Sequence, residues 1–223
     1  GEDARHICRS LRMAVGEALT LCDGAGIDYN GVLRQTDGQI ATVEILSRQP
    51  SQTEPTVSIR LFQALPKGDK MEWIIQKAVE LGISEVVPVL TERCISRPDE
   101  KSMEKKLLRW QKIAVEAAKQ CGRSRIPTVC PLMSFSQAVQ ALGSMEKGLF
   151  LYEKGGLPLK KALCAPAAQI GIFVGAEGGF SSEEAHLAQE AGATCTSLGN
   201  RILRCETAPL AALSAILYET DNF

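Results

Sequence analysis

Short apolar runs that suit β-strands alternate with longer helix-like runs from residue 56 to the C-terminus, and this alternation constrains the fold most strongly. The runs predicted as strands lie at 56–65, 83–90, 126–132, 148–153, 169–175 and 194–199. The runs predicted as helices lie at 71–82 and 101–120, after 134, at 181–192 and at 208–218. Alternation of this kind predicts an α/β fold with a largely parallel sheet and helices on both faces.

Three of these helices have start signals. Ser134 with Gln137, and Ser181 with Glu184, match the capping-box pattern, in which each side chain bonds to the backbone of the other residue. Thr207 is the expected cap of the last helix.

The first 55 residues lack long helical periodicity. Glycine-containing turns at 23–26 and 36–38 separate short apolar pieces, which is typical of β-hairpins. The polar stretch 47–55 contains two prolines and is the predicted linker. We therefore expect a small β-domain at 1–55 and a large α/β domain at 56–223. The chain begins with Gly1, which leaves open whether an N-terminal strand precedes it.

Composition excludes several classes of protein. The formal net charge of −1 gives no global basic field, so any phosphate-binding surface must be local. No apolar run approaches the length of a membrane span. The eight cysteines form no C-x-x-C pair, and neither histidine stands at ligand spacing from them, so we expect no metal site. Free thiols indicate a reducing, cytoplasmic setting.

A glycine-rich segment at 174–184 follows a predicted strand and precedes a predicted helix. Glycine allows sharp turns and close approach of a ligand to the backbone, although a plain tight turn remains an alternative. The segment matches neither G-x-G-x-x-G nor the P-loop pattern, so a dinucleotide or nucleoside triphosphate is not the expected ligand.

A second segment at 198–213 places polar residues around the apolar pair Ile202 and Leu203. Those polar residues are Asn200, Arg201, Arg204 and Glu206. A solvated turn without a role is the alternative to a functional site. A third loop, 151–156, also follows a strand, and loops at the carboxyl ends of parallel strands often meet at one pocket.

The two segments together resemble the signature of one family, the N3-uridine methyltransferases of 16S ribosomal RNA (the RsmE family, within the knotted SPOUT methyltransferases). The stretches at 67–94 and 109–127 also resemble that family's marked blocks, so the similarity covers nearly the whole chain. Ala176 stands where the family usually has proline, and 6–17 is a looser match.

This resemblance implies a trefoil-knotted SPOUT methyltransferase domain, a PUA-like β-barrel that binds RNA at the N-terminus, and a homodimer. It also implies S-adenosyl-L-methionine as cofactor, held bent in the knot. By analogy the cofactor-binding residues are Leu151, Tyr152, Glu153, Gly175, Glu177, Gly178, Gly179, Leu198, Ile202 and Leu203.

Methylation of uridine N3 requires that nitrogen to lose its proton, which leaves negative charge on the base. Arg204 and Arg201 are the candidate donors that stabilise this charge, because guanidinium is planar and permanently charged. Glu206 is the candidate that orients an arginine or accepts the proton; pairing with the positive end of the following helix is the alternative.

The only strongly basic stretch is 91–125, with ten basic and five acidic residues. It suits contact with RNA phosphate, although a solvated helix face is the alternative. The candidates for RNA binding are Arg93, Arg97, Gln120 and Arg123, with Arg9 and Arg12 in the small domain.

Three other functions stay open at this point. One is a related SPOUT methyltransferase that acts on another RNA or base atom. Another is a non-catalytic RNA-binding module with a vestigial cofactor loop. A nicotinamide oxidoreductase is disfavoured, because the dinucleotide fingerprint is missing.

Overall fold

The computed structural model describes all residues from Gly1 to Phe223 and divides into two units. The first consists of Gly1–Glu54 together with Gly122–Ile126, and the second of Pro55–Cys121 and Pro127–Phe223. The segment Gly122–Ile126, which the sequence places with the large domain, therefore belongs to the first unit.

The first unit is built on a three-stranded antiparallel sheet in the order β1-β2-β3. Its elements are helix α1 (Glu2–Arg5), a π-helical turn (His6–Ser10), β1 (Ala18–Cys22), β2 (Ile27–Thr36) and β3 (Ala41–Pro50). The two predicted hairpins are confirmed. The predicted linker is wrong in its first half, because 47–50 completes the pairing of β3 with β2. The closure of this sheet into a barrel stays a prediction.

The second unit alternates strands and helices as the sequence predicts. Its strands are β4 (Ser58–Ala64), β5 (Glu85–Leu90), β6 (Thr128–Val129), β7 (Met133–Ser134), β8 (Lys147–Leu151), β9 (Leu157–Pro158), β10 (Gln169–Val174) and β11 (Thr194–Ser197). Its helices are α2 (Lys70–Glu80), α3 (Glu100–Cys121), α4 (Phe135–Gly143), α5 (Leu159–Ala162), α6 (Ser182–Glu190) and α7 (Thr207–Glu219). No helix of the structure is both long enough and apolar enough to cross a membrane.

All strand pairs of this unit are parallel, in the order β6-β5-β4-β10-β8-β11-β9, with β7 also paired to β5. Side chains alternate across the sheet, so Leu61 joins a core with residues of α2, α3 and α7, whereas the next residue, Phe62, joins a core with residues of α4 and α6. The predicted parallel sheet with two covered faces is confirmed.

Both capping boxes form as predicted, at Ser134 with Gln137 and at Ser181 with Glu184. The predicted cap of α7 is wrong: Thr207 is already helical, and the N-cap residue is Glu206. There the carbonyl of Arg204 accepts the N–H groups of Thr207 and Ala208.

The predicted strand 126–132 shrinks to the two residues of β6, because it contains prolines that cannot donate to a ladder.

Candidate cofactor pocket

A cavity of about 690 Å³ lies where β8, β10 and β11 end, and three loops form most of its wall. They are the β8 loop (151–155), the glycine loop (174–180) and the arginine loop (196–206), with Lys70 and Ala208 beside them. The predicted meeting of three loops at one pocket is therefore confirmed. The volume falls within the range of small-molecule sites.

The glycine loop lines the cavity with closely packed backbone. Gly179 has a φ of +62°, and a Cβ there would lie 2.7 Å from Oε1 of Glu153. A Cβ on Gly175 would lie 3.1 Å from the Cα of Gly179, and the N–H of Gly179 donates to the carbonyl of Ala176 at 3.0 Å. A residue larger than glycine would fill this cradle, which fits a ligand held by backbone groups.

The arginine loop contributes exposed side chains. Ile202 is 83% exposed, and Leu203 is half-buried. The guanidinium groups of Arg201 and Arg204 are exposed and make no hydrogen bond or ion pair within the chain. They are therefore available to an anionic group that enters the cavity.

A cluster of charges joins these loops to the start of α2. Nζ of Lys70 donates to Oε1 of Glu177 at 2.9 Å and lies 3.5 Å from Oε2 of Glu206. Oε1 of Glu177 also accepts the backbone N–H of Lys67 at 3.1 Å, and the thiol of Cys205 donates to Oε2 of Glu206 at 3.1 Å. The sequence analysis did not single out Lys70; its only signal is that it lies in the family-like stretch 67–94.

These contacts shift the pKa values of the cluster. The hydrogen bond from Cys205, with Lys70 nearby, outweighs partial burial and lowers the pKa of Glu206 below its ordinary value. Partial burial raises the pKa of Glu177, but the hydrogen bonds from Lys70 and from backbone N–H groups outweigh it and lower that pKa overall. Burial, together with the bond to Glu206, raises the pKa of the Cys205 thiol to about 12. At neutral pH both carboxylates are therefore ionised, and the thiol is protonated.

Of the two arginines in the β5–α3 loop, Arg93 lies against the glycine loop, and Arg97 bonds within its own loop. Nη1 of Arg93 donates to the carbonyl of Gly178 at 3.0 Å, and a Cβ on Gly178 would lie 3.1 Å from the Cβ of Arg93. Nη2 of Arg97 donates to the carbonyls of Thr91 and Glu92 at 3.1 and 2.9 Å. Both arginines remain exposed, so their other N–H groups face solvent.

Arg123 differs from the other predicted RNA-binding residues. Its side chain is 5% exposed and pairs with Glu54, with Nη2 2.7 Å from Oε2. A buried, paired guanidinium does not reach a phosphate, so the structure argues against the prediction that Arg123 binds RNA. Gln120 is exposed on the second unit, and Arg9 and Arg12 are exposed on the first.

Neither cysteines nor acidic groups gather into a metal centre. All eight cysteines are free thiols, and no group of three or more His, Cys, Asp or Glu side chains is arranged to hold a metal ion.

Comparison with known families identifies the class of protein to which this fold and pocket belong. Residues 52–217 match an RNA methyltransferase domain, and residues 1–46 match an RNA methyltransferase PUA domain. A parallel α/β unit with a backbone-lined pocket, preceded by a small antiparallel unit, is thus the architecture of an RNA methyltransferase. The predicted fold class is confirmed to that extent, whereas the knotted path of the chain stays a prediction.

Individual relatives narrow the class. The chain is 35% identical to the ribosomal RNA small subunit methyltransferase E of Bacillus subtilis, over 99% of this chain and 89% of that protein. It therefore belongs to the ribosomal RNA small subunit methyltransferase E family, as the sequence motifs predicted.

Solved structures agree with this assignment. The enzyme of the same name from Neisseria gonorrhoeae, bound to S-adenosyl methionine, has a TM-score of 0.85 and 35% identity, covering 97% of this chain and 89% of that one. A methyltransferase from Legionella pneumophila, in complex with the bound cofactor SAM, has a TM-score of 0.85 and 33% identity over the same shares.

Proposed function

We propose that this protein transfers a methyl group from S-adenosyl-L-methionine to N3 of a uridine in 16S ribosomal RNA. The observation that carries the proposal is the backbone-lined cavity between three loops at the carboxyl edge of the sheet. Relatives that share most of this chain are named as ribosomal RNA small subunit methyltransferases, and two related structures hold that cofactor. When bound, the cofactor supplies an electrophilic methyl group.

The residues of the cavity fit such a cofactor. The backbone of Gly175, Gly178 and Gly179 offers polar groups at close range, while Leu198 and Leu203 offer apolar surface for a flat base. Leu151, Tyr152, Glu153 and Ile202 line the same space. Glu177 also lines it, but its carboxylate already pairs with Lys70, so its contribution is to hold the loop.

Charged side chains of the arginine loop would stabilise the base during methyl transfer. We assign Arg204 and Arg201 to the negative charge that develops on O2 and O4 of the base as N3 loses its proton, since their guanidinium groups are unpaired at the cavity wall. Glu206 is ionised, bonds to the Cys205 thiol and lies 3.5 Å from Lys70, and its lowered pKa makes it a weak base. Its role in orienting an arginine or accepting the proton stays a prediction.

The RNA would contact exposed cations next to the cavity. Arg93 and Arg97 follow the strand β5, and Arg93 contacts the glycine loop directly, so a phosphate bound there would lie beside the cofactor loop. Gln120, Arg9 and Arg12 are further candidates. The substrate would be a single-stranded or flipped uridine, because N3 is hidden in a base pair.

Two properties complete the proposal and come from the family resemblance: the last three loops form a trefoil knot, and the chain acts as a homodimer. Sedimentation of the purified protein tests the second, since a mass near 24.1 kDa would be that of a single chain.

The proposed function is tested by a cofactor-binding measurement and a methylation assay. Calorimetric titration with S-adenosyl-L-methionine is expected to show micromolar binding. Mass spectrometry of small-subunit RNA incubated with the protein and cofactor is expected to find one methyluridine that is absent without the protein. Binding without methylation would favour a non-catalytic module, and a methyl group on another base would favour a related methyltransferase.

A further inference from the structure

Lys70 connects the glycine loop to the arginine loop. Its Nζ donates to Glu177 at 2.9 Å and lies 3.5 Å from Glu206, and these two carboxylates belong to the two different loops. Lys70 itself is the first residue of α2. One ammonium group therefore joins three segments at the wall of the cavity, which it also lines.

No other hydrogen bond or ion pair links the two loops to each other. The glycine loop is fixed from elsewhere, by the bond from Arg93 to Gly178 and by its internal bond from Gly179 to Ala176. In the arginine loop the other side-chain bonds are local, between Ser197 and Gly199 and between Thr196 and Thr194. The carbonyl of Thr196 also accepts the N–H of Tyr152, in the β8 loop, at 3.0 Å. Among the polar contacts, those of Lys70 are therefore the ones that bridge the two loops.

The negative charges of Glu177 and Glu206 make the cation of Lys70 important for keeping the two loops together. Two carboxylates that contact one ammonium group lie close to each other, and without the cation they repel. Oε2 of Glu206 would keep the hydrogen bond from the Cys205 thiol, and Glu177 would keep the one from the Lys67 N–H. Neither of these donors carries charge, so neither would cancel the repulsion.

We propose that Lys70 is a positioning residue, which holds the glycine and arginine loops at the spacing that binds S-adenosyl-L-methionine. The inference rests on the proposed function, because it concerns the same pocket. Lys70 acts through Glu177 and Glu206 rather than on the reacting atoms.

The first test replaces Lys70 by methionine, which keeps the length of the side chain and removes the charge. We expect affinity for S-adenosyl-L-methionine to fall roughly five- to tenfold by calorimetry. In ligand-free protein we expect faster hydrogen exchange of the amides at 198–206, a readout that needs no cofactor. Lys70→Arg should retain both properties, because its planar fork can bond to two carboxylates.

The matched control is Lys77→Met. Lys77 also lies on α2, its side chain is 35% exposed against 33% for Lys70, and it pairs with Glu80 at 2.8 Å. It does not line the cavity. Its replacement should leave cofactor affinity within twofold and leave exchange at 198–206 unchanged.

The second test separates positioning from loss of structure. In Lys70→Met, partial burial raises the pKa of Glu177 without the opposing bond from Lys70, so acid should protonate it and relieve the repulsion. The loss of affinity relative to wild type should therefore be smaller at pH 4.5 than at pH 8. Adding Glu177→Gln should restore most of the affinity, because the amide oxygen still accepts from Lys67 and one negative charge is gone. A pH-independent loss without rescue would overturn the inference.

The outcomes also separate the inference from the proposed function. Wild-type protein that binds the cofactor while Lys70→Met binds equally well would overturn the inference alone. Wild-type protein that fails to bind would overturn the proposed function and the inference with it.

Discussion

Arg201 and Arg204 line the cavity with guanidinium groups that have no partner in the chain, whereas Arg123, which the sequence also suggested as a functional arginine, is buried against Glu54. The residue type is identical, and burial and pairing decide the role. An unpaired cation at a pocket wall remains free to bond to a substrate, and a buried pair stabilises the fold.

Replacing Arg204 by alanine tests the role of the unpaired cation. We expect kcat to fall by about 100-fold, the usual effect of losing one preorganised donor to a developing anion. The dissociation constant for S-adenosyl-L-methionine should stay within twofold. Single-turnover methylation and calorimetry measure the two quantities. An unchanged kcat would remove Arg204 from the proposed catalytic groups.

Gly179→Ala tests the cradle of the glycine loop. A methyl group there would be strained at a φ of +62° and would displace the carboxylate of Glu153, which lines the cavity, so cofactor affinity should fall at least tenfold. Gly38→Ala is the control, since Gly38 also has positive φ, +84°, but has no atom within 4 Å of the added Cβ. Equal effects of both variants on affinity, measured by calorimetry, would attribute the loss to general strain.

The sequence predicted the glycines and arginines of the pocket because they lie in two short segments with a recognisable pattern. It did not predict Lys70, whose partner Glu177 is 107 residues away. It also did not predict that Arg123 is buried against Glu54, a partner 69 residues away. Pairings over such distances depend on the folded arrangement, which no local pattern encodes.

At the scale of elements, the two capping boxes read alike in the sequence but differ in the structure. Gln137 is exposed at the start of α4 and bonds only within its box. Glu184 is buried at the start of α6, and its Oε1 also accepts the N–H of Glu92 at 2.9 Å. The second box therefore fixes the β5–α3 loop, which carries Arg93, against the helix that follows the glycine loop.

Separate replacements of Gln137 and Glu184 by alanine should distinguish a box that only caps its helix from one that also binds the N–H of Glu92. Gln137→Ala should cost about 0.5–1.5 kcal/mol, the net value of one hydrogen bond, because Ser134 remains as the N-cap. Glu184→Ala should cost about 2–3 kcal/mol, because it also leaves a partly buried N–H group without its acceptor. Denaturant unfolding gives both values. Hydrogen exchange at Glu92 should rise only in Glu184→Ala; similar behaviour of the two variants would contradict the additional role.

At the scale of the whole molecule, the alternation of apolar strand-like runs with helix-like runs was enough to predict a parallel sheet with helices on both faces. Strands that are buried on both faces of a sheet need continuous apolar sequence, which these runs show. The division of the chain was harder to predict. Gly122–Ile126 directly follows the long helix α3, yet it belongs to the unit formed by Gly1–Glu54. The carbonyl of Ser124 accepts the N–H of Gly26, and Glu54 accepts the N–H of Arg125.

The pair Arg123–Glu54 lies at the centre of this association, since its side chains are only 5% and 12% exposed. Arg123→Met should destabilise the first unit by about 3 kcal/mol, because it leaves a carboxylate buried without its cation. The double variant Arg123→Met/Glu54→Leu should lose less than that, since no unpaired charge remains.

Arg34 provides the control for this prediction, because it pairs with Glu44 within the same unit but with side chains 55% and 50% exposed. Arg34→Met should cost at most about 1 kcal/mol. Hydrogen exchange of the β2 and β3 amides reports the stability of this unit separately from that of the larger one. If Arg123→Met and Arg34→Met had equal effects, the buried pair would not be what fastens Gly122–Ile126. If only Arg123→Met accelerates exchange, Gly122–Ile126 is an integral part of the small unit. Residues 1–54 expressed alone would then lack that part of their fold.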